Sequence, residues 1–181
     1  MRITIKPNTY LYLVLLLFLI PLPWLCAWLL AMCIHELCHW LAVKLCGGRI
    51  YSLSIGIGGA QMTGSVLSHG KRLFAILSGP VGGILPVFLG RWFPRLALCC
   101  WILSVYNLLP LTPLDGGRAL QILFQERTFR IIERAFLLVS FFLGLYCLLC
   151  LHLGWLPLLL VAGLFLRNGK RPCKERIFKV Q

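Results

Sequence analysis

The sequence predicts an all-α integral membrane protein of about six transmembrane helices, on three observations. Of its 181 residues 60% are hydrophobic, and the mean hydropathy of +0.88 lies well above that of soluble domains. Only 5 residues are acidic against 18 Lys+Arg, a formal charge of +13. Those cations fall in short clusters between apolar runs, the pattern of flanked membrane spans rather than of a nucleic-acid-binding face. Disordered, fibrous and disulfide-scaffold classes are excluded. The 9 cysteines fall mostly in apolar runs, where Cys behaves as a small hydrophobe.

The spans follow in order. Arg2 and Lys6 precede an apolar run to Ile20, but no small-residue cleavage site follows, so the segment is read as retained. Between Lys6 and Lys44 the single formal charge is Glu36. As one helix that stretch would be about 55 Å long, against a hydrocarbon core of about 30 Å. Pro21 and Pro23 divide it into spans at 9–20 and 23–45. A third span covers 73–89 and a fourth 96–109, ended by Pro110 and Pro113. Gly154 and Pro157 divide the uncharged stretch 135–166 into spans at 135–153 and 155–166. Six spans leave only Arg91 and Arg95 of the 18 cations on the far side, whereas treating each long stretch as one span divides the cations almost evenly. A single polytopic domain over 1–181 with both termini cytoplasmic is therefore expected. Its basic tail, 167–181, would lie on an anionic leaflet of the lipid bilayer.

Between the second and third spans, Tyr51-Ser-Leu-Ser-Ile-Gly-Ile alternates apolar with small or polar residues, the period of a strand, and Gly56, Gly58, Gly59 and Gly64 suit turns. A short β-hairpin-like segment packed over a site fits this pattern, as does a plain cytoplasmic loop.

Two of the five acids, Glu36 and Asp115, stand in apolar sequence, where an ionisable group is costly and usually functional. His35-Glu36-Leu37-Cys38-His39 puts two histidines one helical turn apart on one face of the second span. Both imidazoles can bind one Zn2+ ion while Glu36 acts as general base on a water of lowered pKa. A buried His/Glu cluster without metal would have to satisfy three polar side chains in hydrocarbon. Asp115, where the fourth span unwinds on the same side as His39, is the candidate third ligand; alone, it would read as a turn residue capping the next helix.

Three ordered motifs carry a resemblance: His35-Glu36-Leu37-Cys38-His39, Ser78-Gly79-Pro80, and Asn107 through Pro110 to Leu114-Asp115-Gly116-Gly117. They resemble the site-2 protease family of intramembrane zinc metalloproteases, and the short layout is most similar to its stage IV sporulation protein FB branch. The resemblance implies helices around a three-helix catalytic core, zinc on His35, His39 and Asp115, Asn107 as a substrate-positioning residue, and a bacterial cell membrane. It further implies cleavage of a membrane-embedded or membrane-associated protein, such as a sporulation sigma-factor precursor, with a regulatory membrane partner possible. Cys38 is a departure, since many members have Gly there; it is expected to be tolerated as a small residue, the alternatives being that it crowds the site or offers zinc a thiolate.

The other candidates have simpler readings. His69 and His152 are expected at interfaces, and Cys147 and Cys150 in packing. Glu126, Glu133 and Glu175 lie in basic segments, where a solvated or charge-paired role suffices. Two other functions stay open: a metal or proton transporter, disfavoured by the scarcity of polar residues in spans three, five and six, and a catalytically silent binder of membrane segments, disfavoured by an intact motif.

Overall fold

Prolines open the first long helix. Pro21 flanks it and Pro23 lies in its first turn, where a missing N–H leaves no hydrogen bond unmade. The computed structural model describes residues 2–5, 10, 14, 16–56, 59–65 and 67–149. Residues 9, 11–13 and 15 of the span expected at 9–20, residues 150–153 of that at 135–153, the whole of that at 155–166 and the tail at 167–181 lie outside the described residues.

The chain divides after Leu108 into two compact units. In the first, helix α1 spans Leu22–Leu45, about 36 Å at the rise of an α-helix. It ends in a Schellman motif: Gly48 N–H donates to Val43 O (2.9 Å) and Gly47 N–H to Lys44 O (3.0 Å). Gly47 adopts φ +78°, a conformation that costs an L side chain steric strain.

The chain then forms β2, Ile50–Gly56, and β3, Gly59–Gly64. They pair antiparallel, with a register shift between Ile50 and Ser52. A third strand, β1 at Arg2–Ile5, adds parallel to β2 with Ile3 opposite Leu53, so the sheet order is β1-β2-β3. The hairpin occupies the alternating segment, whereas β1 lies in residues read only as a basic flank.

Helix α2, His69–Ile84, continues as a 3-10 turn through Leu85–Leu89, and α3 spans Pro94–Asn107. Helices α1, α2 and α3 pack on one another in a three-helix core. Its seams are built from small residues: Ala42, Val43 and Ala75 between α1 and α2, and Ala31, Cys99 and Cys100 between α1 and α3. Backbones in an apolar solvent approach closely through such residues. Large apolar side chains face outward instead, among them Leu29, Leu37 and Leu41 on α1, Phe74 and Val81 on α2, and Leu98 and Trp101 on α3. Surface of this kind calls for an apolar environment. By length and composition, two stretches among the described residues can cross a bilayer, Leu22–Leu45 and His69–Leu89. The expected six spans are not reached there.

In the second unit, Leu109–Leu114 is irregular and contains a cis Thr112–Pro113 peptide. Helix α4, Asp115–Leu123, and helix α5, Glu126–Leu149, follow. Thus α5 begins well ahead of residue 135, where the charge pattern placed the start of a span. Phe129, Glu133 and Leu137 fall four residues apart along α5 and are all buried.

Candidate metal site

The i, i+4 spacing in α1 stacks His35 and His39 on one face. Their Nε2 atoms stand 3.2 Å apart and their rings meet edge to face at 86°. His39 Nδ1 lies 2.8 Å from the carbonyl oxygen of Ala75 on α2. A carbonyl only accepts, so Nδ1 carries the proton and Nε2 keeps its lone pair. This backbone contact orients a ligating imidazole in the manner of the outer partners of zinc histidines. Two nitrogens held at about 2.0–2.1 Å by one tetrahedral ion stand about 3.3 Å apart. The observed separation therefore fits a shared metal. His35 is buried and Glu36, its neighbour on the helix, is half-buried.

Helix α2 is shaped to bring its backbone against this face. A Cβ added at Gly79 would overlap the His39 ring, and one at Gly82 would overlap Cys38 Sγ. Ser78 Oγ donates toward Cys38 O (3.2 Å) and Ala75 O (2.8 Å), tying α2 to α1 beside the histidine. Cys38 thus packs over Gly82. On α3, Asn107 donates its amide N–H to Leu103 O at 2.9 Å.

In the second unit, Asp115 is the first residue of α4 and only 6% exposed. A carboxylate is stabilised at a helix N-terminus, and Arg118 lies one turn on, 3.7 Å from Asp115 Oδ1. The segment leading to Asp115 is held from α5, because Thr112 donates both its N–H (3.0 Å) and its hydroxyl (2.6 Å) to Glu133 Oε1. Glu133 has 0% exposure. Burial overturns the solvated reading of Glu133. Its neighbours Arg130 and Arg134 are exposed, but the 3.6-residue period turns Glu133 inward with Phe129 and Leu137. Glu126 does remain outside, 3.8 Å from Arg130.

His35 and His39 belong to the first unit and Asp115 to the second, and the side chain of each offers one metal-ligating atom. Sequence reasoning singled out all three. It missed Ala75, Gly82 and Glu133, of which only Glu133 left a periodic signal.

Residues 87–151, a stretch that includes Asn107 and Asp115, match Peptidase family M50. The fold is similar to that of "Site-2 Protease from Methanocaldococcus jannaschii", with a TM-score of 0.62 over 98% of this chain and 94% of that chain at 20% sequence identity. No curated protein sequence matches.

Proposed function

We propose that the chain is an intramembrane zinc metalloendopeptidase with His35, His39 and Asp115 as ligands and Glu36 as general base. The observation that carries this reading is the His35–His39 pair, with nitrogens at metal-sharing distance on an apolar helix that also bears Glu36. The M50 match around Asp115 and the site-2 protease fold support it.

Zinc bound by these residues would supply Lewis acidity, lowering the pKa of a water and polarising a peptide carbonyl. Glu36 accepts the proton of the attacking water and passes it to the leaving amine. The Ala75 carbonyl keeps His39 in the tautomer that presents Nε2. Asn107, at the end of α3, is proposed to position the substrate. A helical peptide shields its own peptide bonds, so the substrate has to enter extended. The outer edge of β3 is suited to pair with it as an added strand.

The wider proposal is a six-span topology in a bacterial cell membrane, both termini and the site toward the cytoplasm. The substrate is a membrane-embedded or membrane-associated protein, with a sporulation sigma-factor precursor as the first to try. Purified Glu36→Gln is expected to hold zinc as the parent does and to lose at least about 100-fold in cleavage rate. Undiminished proteolysis by that variant sinks the assignment. Co-expression with sigma-factor precursors and anti-sigma factors, scored for Glu36-dependent truncation, identifies the substrate class.

A further inference from the structure

A carboxylate with no exposure is costly to keep unless it does something that a hydrophobe cannot. Glu133 is such a group, and it lies outside the ligand and base set. It sits on α5 between Phe129 and Leu137 and accepts two hydrogen bonds from one residue, Thr112. Thr112 lies in the irregular run before α4, where no helical or sheet ladder satisfies the backbone. The following residue, Pro113, has no N–H at all. The same stretch is gripped from its other side. A Cβ at Gly117, in the first turn of α4, would overlap the Leu111 carbonyl group and come within 2.8 Å of Thr112 N. The Leu111–Thr112 peptide is therefore clamped between a glycine of α4 and a carboxylate of α5. Asp115 stands between the two gripped points, three residues after Thr112 and two before Gly117.

We infer that Glu133 is a positioning residue for Asp115: by clamping Thr112, it fixes where the first residue of α4 presents its carboxylate to the metal. This rests on the proposed role of Asp115 as a ligand. The clamp acts on the backbone that carries the ligand, so its loss should loosen metal geometry before it unfolds the helices. Partners one step removed from a metal ligand typically change affinity by about 10–100-fold when lost.

The test uses the full chain purified in detergent, with zinc affinity measured by chelator competition and ligand geometry by the visible absorption of the cobalt-substituted protein. Glu133→Leu is expected to weaken zinc binding about tenfold or more and to shift the cobalt bands. Glu133→Gln, which keeps an oxygen acceptor facing Thr112, should stay within about fivefold of the parent, the difference between a charged and a neutral acceptor. Glu126→Gln, on the exposed side of α5, should change neither readout. If Glu133→Leu does not accumulate, Thr112→Val decides, since it deletes one hydroxyl of the clamp and should still shift the cobalt bands. Parental zinc affinity and cobalt bands in the clamp variants, with Asp115→Asn weakened, would overturn the positioning role alone. Parental zinc binding by Asp115→Asn would overturn the ligand reading and this inference with it.

Discussion

Replacing Gly79 with alanine sets two opposed effects against each other. Alanine is favoured over glycine inside a helix by about 1 kcal/mol, so on propensity alone the variant should be more stable. The added methyl, however, would overlap the ring of His39, whose Nδ1 is tied to Ala75 O at 2.8 Å. Overpacking of a tight contact costs about 1–3 kcal/mol, and losing the imidazole's hydrogen bond costs a further ~0.5–1.5 kcal/mol. The clash wins, for a net loss of roughly 1–3 kcal/mol. Because the group displaced is a proposed ligand, zinc affinity should fall as well, by about tenfold for each 1.4 kcal/mol taken from the bound geometry. Gly70→Ala is the control. It lies in the first turn of the same helix, where an added Cβ meets nothing within 4 Å, and it should be neutral or stabilising by up to about 1 kcal/mol. Thermal unfolding in detergent and chelator competition read both quantities. A Gly79→Ala protein that melts with Gly70→Ala and holds zinc like the parent would refute the claim that α2 fixes His39 by close approach.

Further outcomes follow from the same structure. Gly82→Ala should be destabilised by about 1–3 kcal/mol through overlap with Cys38 Sγ, and Cys38→Ala in that background should recover most of the loss in the same melting assay. Gly47→Ala forces a side chain into the left-handed conformation that ends α1 and should lower stability by about 1–2 kcal/mol with little effect on zinc affinity. Removal of zinc by chelation should abolish cleavage of a reconstituted substrate. Added Zn2+ should restore it where Mg2+ does not, since imidazole ligands favour the softer ion.

The parts of this protein that were legible in its sequence are those governed by a period. His35 and His39 could be placed on one face because four residues make about one turn. The alternation from Tyr51 to Ile57 made a hairpin one of two readings of that segment because a strand has period two. Helices α1 to α3 could be placed because proline and charge punctuate the apolar runs. What escaped depends on distant contacts. Strand β1 has four residues, and its basic Arg2 suited a membrane flank equally well; only pairing with β2 makes it a strand. Glu133 was concealed by its arginine neighbours in sequence, although Phe129, Glu133 and Leu137 share one face. Its two bonds to Thr112 span 21 positions and leave no local trace.

The glycines of α2 show why the site needs the second helix as much as the motif on the first. Gly79, Gly82 and Gly83 occupy one side of α2 at i, i+3 and i+4, and each costs about 0.5–1 kcal/mol of helix stability relative to alanine. Gly79 and Gly82 receive His39 and Cys38 of α1, while a Cβ at Gly83 would sit 2.7 Å from the buried Ser104 Oγ of α3. In an apolar solvent, helices gain little by merely meeting, so close packing has to supply the association. Here it also brings the Ala75 carbonyl within hydrogen-bonding distance of the imidazole. Gly82 leaves room opposite position 38, so the thiol of Cys38 fits without separating the helices. The interface constrains the space shared by the two positions, and either partner can supply it.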